Sequence, residues 1–198
     1  MEPTPGAPAG DRPSRATEPV ALVGPAESGL VVPVHEATPA VAQWRARLDP
    51  AAAHGVPAHV TVLYPFVTPE SLDDAHVGRL TALFDDVAAF DFVLRRIGWF
   101  ADTVVYLAPE PAAPFVALTE RVMQEFPGHA PYAGAFDEIT PHLTIGDRGS
   151  AAELQVAADA VAPALPIRAR ASEVWLMMGS ATARTWRVHT RFALGGAA

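Results

Sequence analysis

From residue 30 onward, short apolar runs alternate with stretches in which Leu, Val and Phe recur every three or four residues. That pattern marks strands alternating with amphipathic helices. Leu30–Val34 reads as a strand, and residues 39–48 as a helix, with Thr38 placed to cap it and Pro39 at its first position. Ala58–Phe66 alternates apolar and polar residues and reads as the next strand. Ser71 or Asp73 opens a helix to about Ala88, with Leu80, Leu83, Phe84 and Val87 as its apolar stripe. Asp91–Phe100 and Thr103–Ala108 are strands, followed by a helix over 112–126 and a Gly/Pro-rich connection over 127–139. His142–Gly146 is a strand, and 150–161 a helix whose Ser150 and Glu153 have capping-box spacing. Ile167–Met178 and Arg184–Leu194 read as two long strands joined by a turn at Gly179-Ser180.

The order strand–helix–strand–helix–strand therefore occurs twice, with matching elements offset by about 74 to 83 residues. This predicts a duplicated α/β unit with a pseudo-two-fold axis. Residues 1–27 are rich in Pro, Ala and Gly without a hydrophobic period and read as a disordered tail. Residues 28–198 form one bilobal domain, with lobes of roughly 28–101 and 102–198. Patterning does not say which strand joins which sheet, so strands are free to exchange between lobes.

Apolar residues make up 50% of the chain, enough for a sizeable core, and the absence of cysteine excludes disulfides and thiolate chemistry. The net charge is −8, and all 14 basic residues are arginine. Such a chain is poorly suited to gripping long duplex nucleic acid. Five arginines (Arg168, Arg170, Arg184, Arg187, Arg191) against the single acid Glu173 make the C-terminal stretch locally basic. No apolar run reaches the length of a membrane span and no basic-then-apolar leader opens the chain. The expectation is a cytoplasmic monomer with no membrane partner.

One four-residue pattern occurs twice: His59-Val60-Thr61-Val62 and His142-Leu143-Thr144-Ile145. With 7 His and 13 Thr in 198 residues, chance supplies about 0.1 such matches when the second and fourth positions must be apolar. On a strand, His and Thr share one face and the apolar pair the other. Two such strands face to face give two imidazoles and two hydroxyls around one groove. One imidazole can act as base and the other as acid, while the hydroxyls hold a phosphate. Histidines also bind metals, with His54 or His129 as further ligands, but no carboxylate or second histidine stands at ligand spacing. The chain has no Walker loop, GxGxxG or GxSxG. Tyr132, in the connection before the second motif, is the candidate for stacking on a base, ahead of His129. Tyr64, Phe66, Trp99, Trp175 and Trp186 are expected in the core.

These motifs resemble those of the 2H phosphoesterases, most of all the bacterial 2′-5′ RNA ligase-like group. The resemblance spans roughly residues 29–194. It is most specific over Pro57–Phe66 and Pro141–Gly146. It implies an α/β fold with two antiparallel sheets around a central groove and helices outside. It further implies metal-independent, cofactor-free opening of 2′,3′-cyclic phosphates or cleavage of related 2′-linked phosphodiesters. By that resemblance His59 and His142 are the catalytic pair, and Thr61 and Thr144 hold the phosphate. The expected substrate is a small nucleotide or RNA terminus; a non-catalytic module that sequesters such phosphates is the alternative. Family members often carry a basic residue five positions after the second histidine. Here that position is Asp147, and Arg148 follows; on an ideal strand Arg148 shares the face of His142 and Thr144 and can serve as the basic residue.

Overall fold

The computed structural model describes residues 26–131, 138–180 and 185–196. Among them, eight strands form two four-stranded antiparallel sheets flanked by five α-helices. The first half supplies β1 (Glu27–Pro33), α1 (Thr38–Leu48), the short α2 (Pro50–Ala53), β2 (His59–Leu63), α3 (Asp74–Asp85) and β3 (Phe90–Phe100). The second supplies β4 (Val104–Glu110), α4 (Ala113–Glu125), β5 (Leu143–Gly146), α5 (Ala151–Val161), β6 (Ile167–Ala171), β7 (Glu173–Ser180) and β8 (Thr185–Ala193). One sheet runs β2-β1-β7-β8 and the other β5-β4-β3-β6. Each sheet thus takes strands from both sequence halves. The two motif strands, β2 and β5, each lie at a sheet edge and pack against each other.

Local signals explain most element ends. Asp73 caps α3 by accepting from His76 N–H, and Ser150 and Glu153 complete a capping box on α5. Thr38 does not cap α1. A 3₁₀ turn, His35–Ala37, runs directly into the helix, so Thr38 already has helical geometry and Ala37 stands at the cap. The stretch read as one strand over 167–178 is two strands in different sheets, β6 pairing with β3 and β7 with β1. The chain changes sheet at Ser172. The core-facing positions shift there from Ala169 and Ala171 to Val174 and Leu176.

One core joins the helix-covered faces of both sheets. Leu30, Val60 and Val62 of the first meet Leu94, Leu107, Leu143 and Ile145 of the second beneath Phe84, Phe115 and Leu154. Burial of side chains of this size stabilises by about 1.5–3 kcal/mol each. Phe66 and Trp99 join this core, as expected. Tyr64 is half-buried and its hydroxyl donates a hydrogen bond to Glu27 Oε2 at 2.8 Å. Trp175 is buried on the opposite face of the first sheet, in a smaller cluster with Val31, Val56 and Met177 against which Trp186 packs.

Candidate active site

The period-two alternation of the motif strands is realised in both copies. Val60, Val62, Leu143 and Ile145 are all at most 2% exposed, whereas His59, Thr61, His142 and Thr144 keep partial exposure on the other face. Thr61, His142 and Thr144 line one cavity of about 680 Å³, with Phe100, Glu138 and Asp147 also on its wall. His59 sits deeper, two residues before Thr61 on the same strand face, and near enough to His142 for the charge of one to act on the other.

The two histidines are held identically. Nδ1–H of His59 donates to the Pro57 carbonyl at 2.8 Å, and Nδ1–H of His142 donates to the Thr140 carbonyl at 2.8 Å. Each bond runs to the residue two positions back and fixes the tautomer. Nε2 then carries the lone pair and is the nitrogen that exchanges protons with a ligand.

Their surroundings differ. Burial lowers the pKa of His59 from 6.5 to about 4, helped by the charge of Arg45; the Pro57 carbonyl and Asp49 oppose it, and His142 adds a little. Burial also holds His142 below its ordinary value, against the Thr140 carbonyl. Arg45 is 3% exposed and shares the buried stripe of α1 with Val41 and Leu48. Its Nε donates to Asp49 Oδ2 at 2.9 Å, and Nη2 lies 2.8 Å from the same oxygen. Asp49 Oδ1 accepts from Ala51 N–H, which fixes the carboxylate. The Leu48 carbonyl accepts from the N–H groups of Asp147 and Arg148, tying the end of α1 to the end of β5. A Cβ on Gly146 would come within 2.8 Å of Leu48 Cβ, so the glycine permits this close approach. On the related side, α4 meets β2 through a neutral group: Thr119 Oγ1–H donates to the Val62 carbonyl at 2.8 Å.

Two aromatic rings pack around His142. Phe100 lies edge-on to it, with ring centroids 4.9 Å apart, and Tyr106 is tilted at 5.4 Å. Tyr106 stands directly opposite Thr144 in the β4–β5 ladder. Its ring lies across Gly98 of β3, where a Cβ would come within 2.4 Å of it. Ala101, at a left-handed φ of 49°, turns the chain straight after Phe100.

Of the residues singled out by sequence, Thr61, His142 and Thr144 share the cavity and His59 adjoins it. Tyr132 lies outside the described residues. Arg148 is exposed and absent from the cavity wall, where Asp147 stands instead. β5 ends at Gly146, so strand alternation no longer governs the two residues beyond it. Sequence reasoning missed Arg45, Phe100 and Tyr106. The charge of the first reads as solvent-facing on a helix, and the aromatics needed the strand register. Among the described residues no three His, Asp or Glu side chains converge as a metal site requires, and no helix is long and apolar enough to cross a membrane.

A profile of the 2′-5′ RNA ligase superfamily matches residues 32–182. No curated protein matches the chain. Solved structures share its fold at low identity. E. coli LigT, crystallised with 3′-AMP, is 18% identical with a TM-score of 0.53, covering 86% of this chain and 99% of LigT. The Thermus thermophilus protein TT0787 is also 18% identical with a TM-score of 0.53, over 86% and 98% of the two chains. A third structure, of a phosphoesterase, gives 18% and 0.52, over 86% and 99%.

Proposed function

The chain belongs to the 2′-5′ RNA ligase superfamily, the 2H phosphoesterases, and on that premise we propose that it opens 2′,3′-cyclic phosphates, or cleaves related 2′-linked phosphodiesters, of nucleotides or RNA ends without a metal. One observation carries the reading. The two motif strands meet edge to edge, each with an imidazole whose Nδ1 is tied to its own backbone. Two proton-transferring nitrogens and two hydroxyls are what in-line hydrolysis of a cyclic diester requires.

We infer the roles from the two environments. His59, kept neutral by burial and Arg45, takes a proton from water as the water oxygen bonds to phosphorus. The bond from phosphorus to the 2′ or 3′ oxygen breaks, and His142 gives that oxygen a proton. Thr61 and Thr144 hydroxyls donate to the non-bridging oxygens, where charge accumulates. With a 5′-hydroxyl in place of water, the same groups would form a 2′-5′ linkage. Phe100 offers an edge or face to the base of the substrate.

The test is ³¹P NMR of purified protein with 2′,3′-cyclic nucleotides, ADP-ribose cyclic phosphate and 2′-5′ dinucleotides in turn. LigT was crystallised with 3′-AMP, which makes the adenosine cyclic phosphate the first compound to offer. Conversion of the cyclic resonance to that of a monoester is expected. No conversion of any of the three classes would leave a binding module as the better reading.

A further inference from the structure

The cavity wall lacks the cation expected of a phosphate site. Among its described residues the charged side chains are both acids, Glu138 and Asp147; the rest are His142, threonines and apolar groups. On one side of the cavity the described residues Ala130, Pro131, Glu138, Ile139, Thr140 and Pro141 supply no arginine. The nearby arginines are already engaged or peripheral. Arg45 is held by Asp49, and Arg148 acts on Asp147 from an exposed turn. Asp147 opens onto the cavity, yet the loss of part of its water shell and the charge of Asp49 hold its carboxyl above the usual range. Asp147 thus lies within reach of the charges of Asp49, Arg45 and Arg148, but of these four groups it alone lines the cavity.

We propose that this arginine-free, acidic wall makes ligand charge the specificity determinant: the site takes singly charged phosphodiesters and rejects doubly charged phosphomonoesters, with Asp147 as the discriminating residue. The inference rests on the phosphodiesterase reading above. A cyclic diester carries one negative charge at neutral pH. Ring opening adds water across one P–O bond and yields a monoester whose second proton leaves with a pKa near 6. The product therefore becomes a dianion in a cavity walled by two carboxylates, and like charges weaken its binding. The same repulsion excludes nucleotides bearing further phosphates, such as a 5′-phosphorylated cyclic nucleotide.

The test compares affinities and does not need turnover. Calorimetry on the full chain at pH 7.5 measures Kd for 3′-AMP and for its methyl ester, which differ by one charge on the same phosphate. The wild type should prefer the methyl ester by about tenfold or more. Asp147→Asn, which keeps the N–H bond to Leu48, should reduce that preference about tenfold, and Asp147→Arg should invert it. Lowering the pH to 5 should narrow it in the wild type, as the monoester takes up its second proton. Equal or tighter wild-type binding of 3′-AMP, or a preference unmoved in both Asp147 variants, would overturn the proposal. If the wild type hydrolyses no cyclic nucleotide while the charge preference holds, the hydrolase reading fails and the charge selection stands.

Discussion

Replacing Arg45 with methionine separates a structural ion pair from one that also tunes the site. Arg45 and Asp49 are 3% and 5% exposed, and their charged atoms meet at 2.8 Å. Methionine keeps most of the stem's volume on the α1 stripe and removes the charge. Asp49 would then stay buried with only the Ala51 N–H as a partner. Breaking one member of a buried pair costs about 3–5 kcal/mol, against about 0–1 kcal/mol for a surface pair. Arg45→Met is therefore expected to lose about 3 kcal/mol or more in urea unfolding at pH 7. Its effect on His59 has a definite sign. Arg45 pushes the imidazole pKa down and Asp49 pushes it up. Removing only the first moves His59 upward from about 4, and the acid limb of kcat/KM should follow. The double variant Arg45→Met/Asp49→Asn removes both charges, so it should regain stability and bring the limb back toward the wild type. An NMR titration of the His59 ring checks the same shift without turnover. A single variant within about 1 kcal/mol of the wild type, with His59 unmoved, would refute the reasoning.

The pH profile of kcat/KM should be a bell lying on the acid side of neutrality. Its acid limb falls as His59 takes up a proton near 4, and its other limb as His142 loses one below 6.5; a rate flat from pH 5 to 8 would contradict the assignment. Phe100→Leu should raise KM about tenfold, since stacking a base on an aromatic ring is worth about 1–3 kcal/mol, with a smaller change in kcat; an unmoved KM would remove Phe100 from the substrate's path. Dialysis against EDTA should leave turnover unchanged, whereas loss restored by zinc or manganese would place a metal in the mechanism.

The motif strands were legible because a period of two leaves one choice. Once Val60, Val62, Leu143 and Ile145 face the core, His and Thr must face the groove. The duplicated order of strands and helices was legible for the same reason, and the capping box at Ser150 fixed a helix start to the residue. The break at Ser172 was hidden because β7 is buried on both faces, so its apolar run masks the shift in parity. Arg45 was hidden because charge on a helix ordinarily means solvent. Its partner Asp49 lies at i+4, the spacing of a surface pair, and only the fold buries both. Phe100 and Tyr106 reach His142 through pairing of β3, β4 and β5, which no local pattern encodes. Arg148 stands off the cavity wall because β5 ends at Gly146, two residues before it, where strand alternation no longer applies.

The most direct test is turnover of 2′,3′-cyclic AMP by His59→Ala and His142→Ala beside the wild type, with thermal unfolding as a control for folding. Each histidine supplies a proton-transfer step worth about 10²–10⁴-fold. Each variant should therefore lose about that much in kcat while melting as a folded protein. Near-wild-type turnover in either folded variant would contradict the two-histidine account.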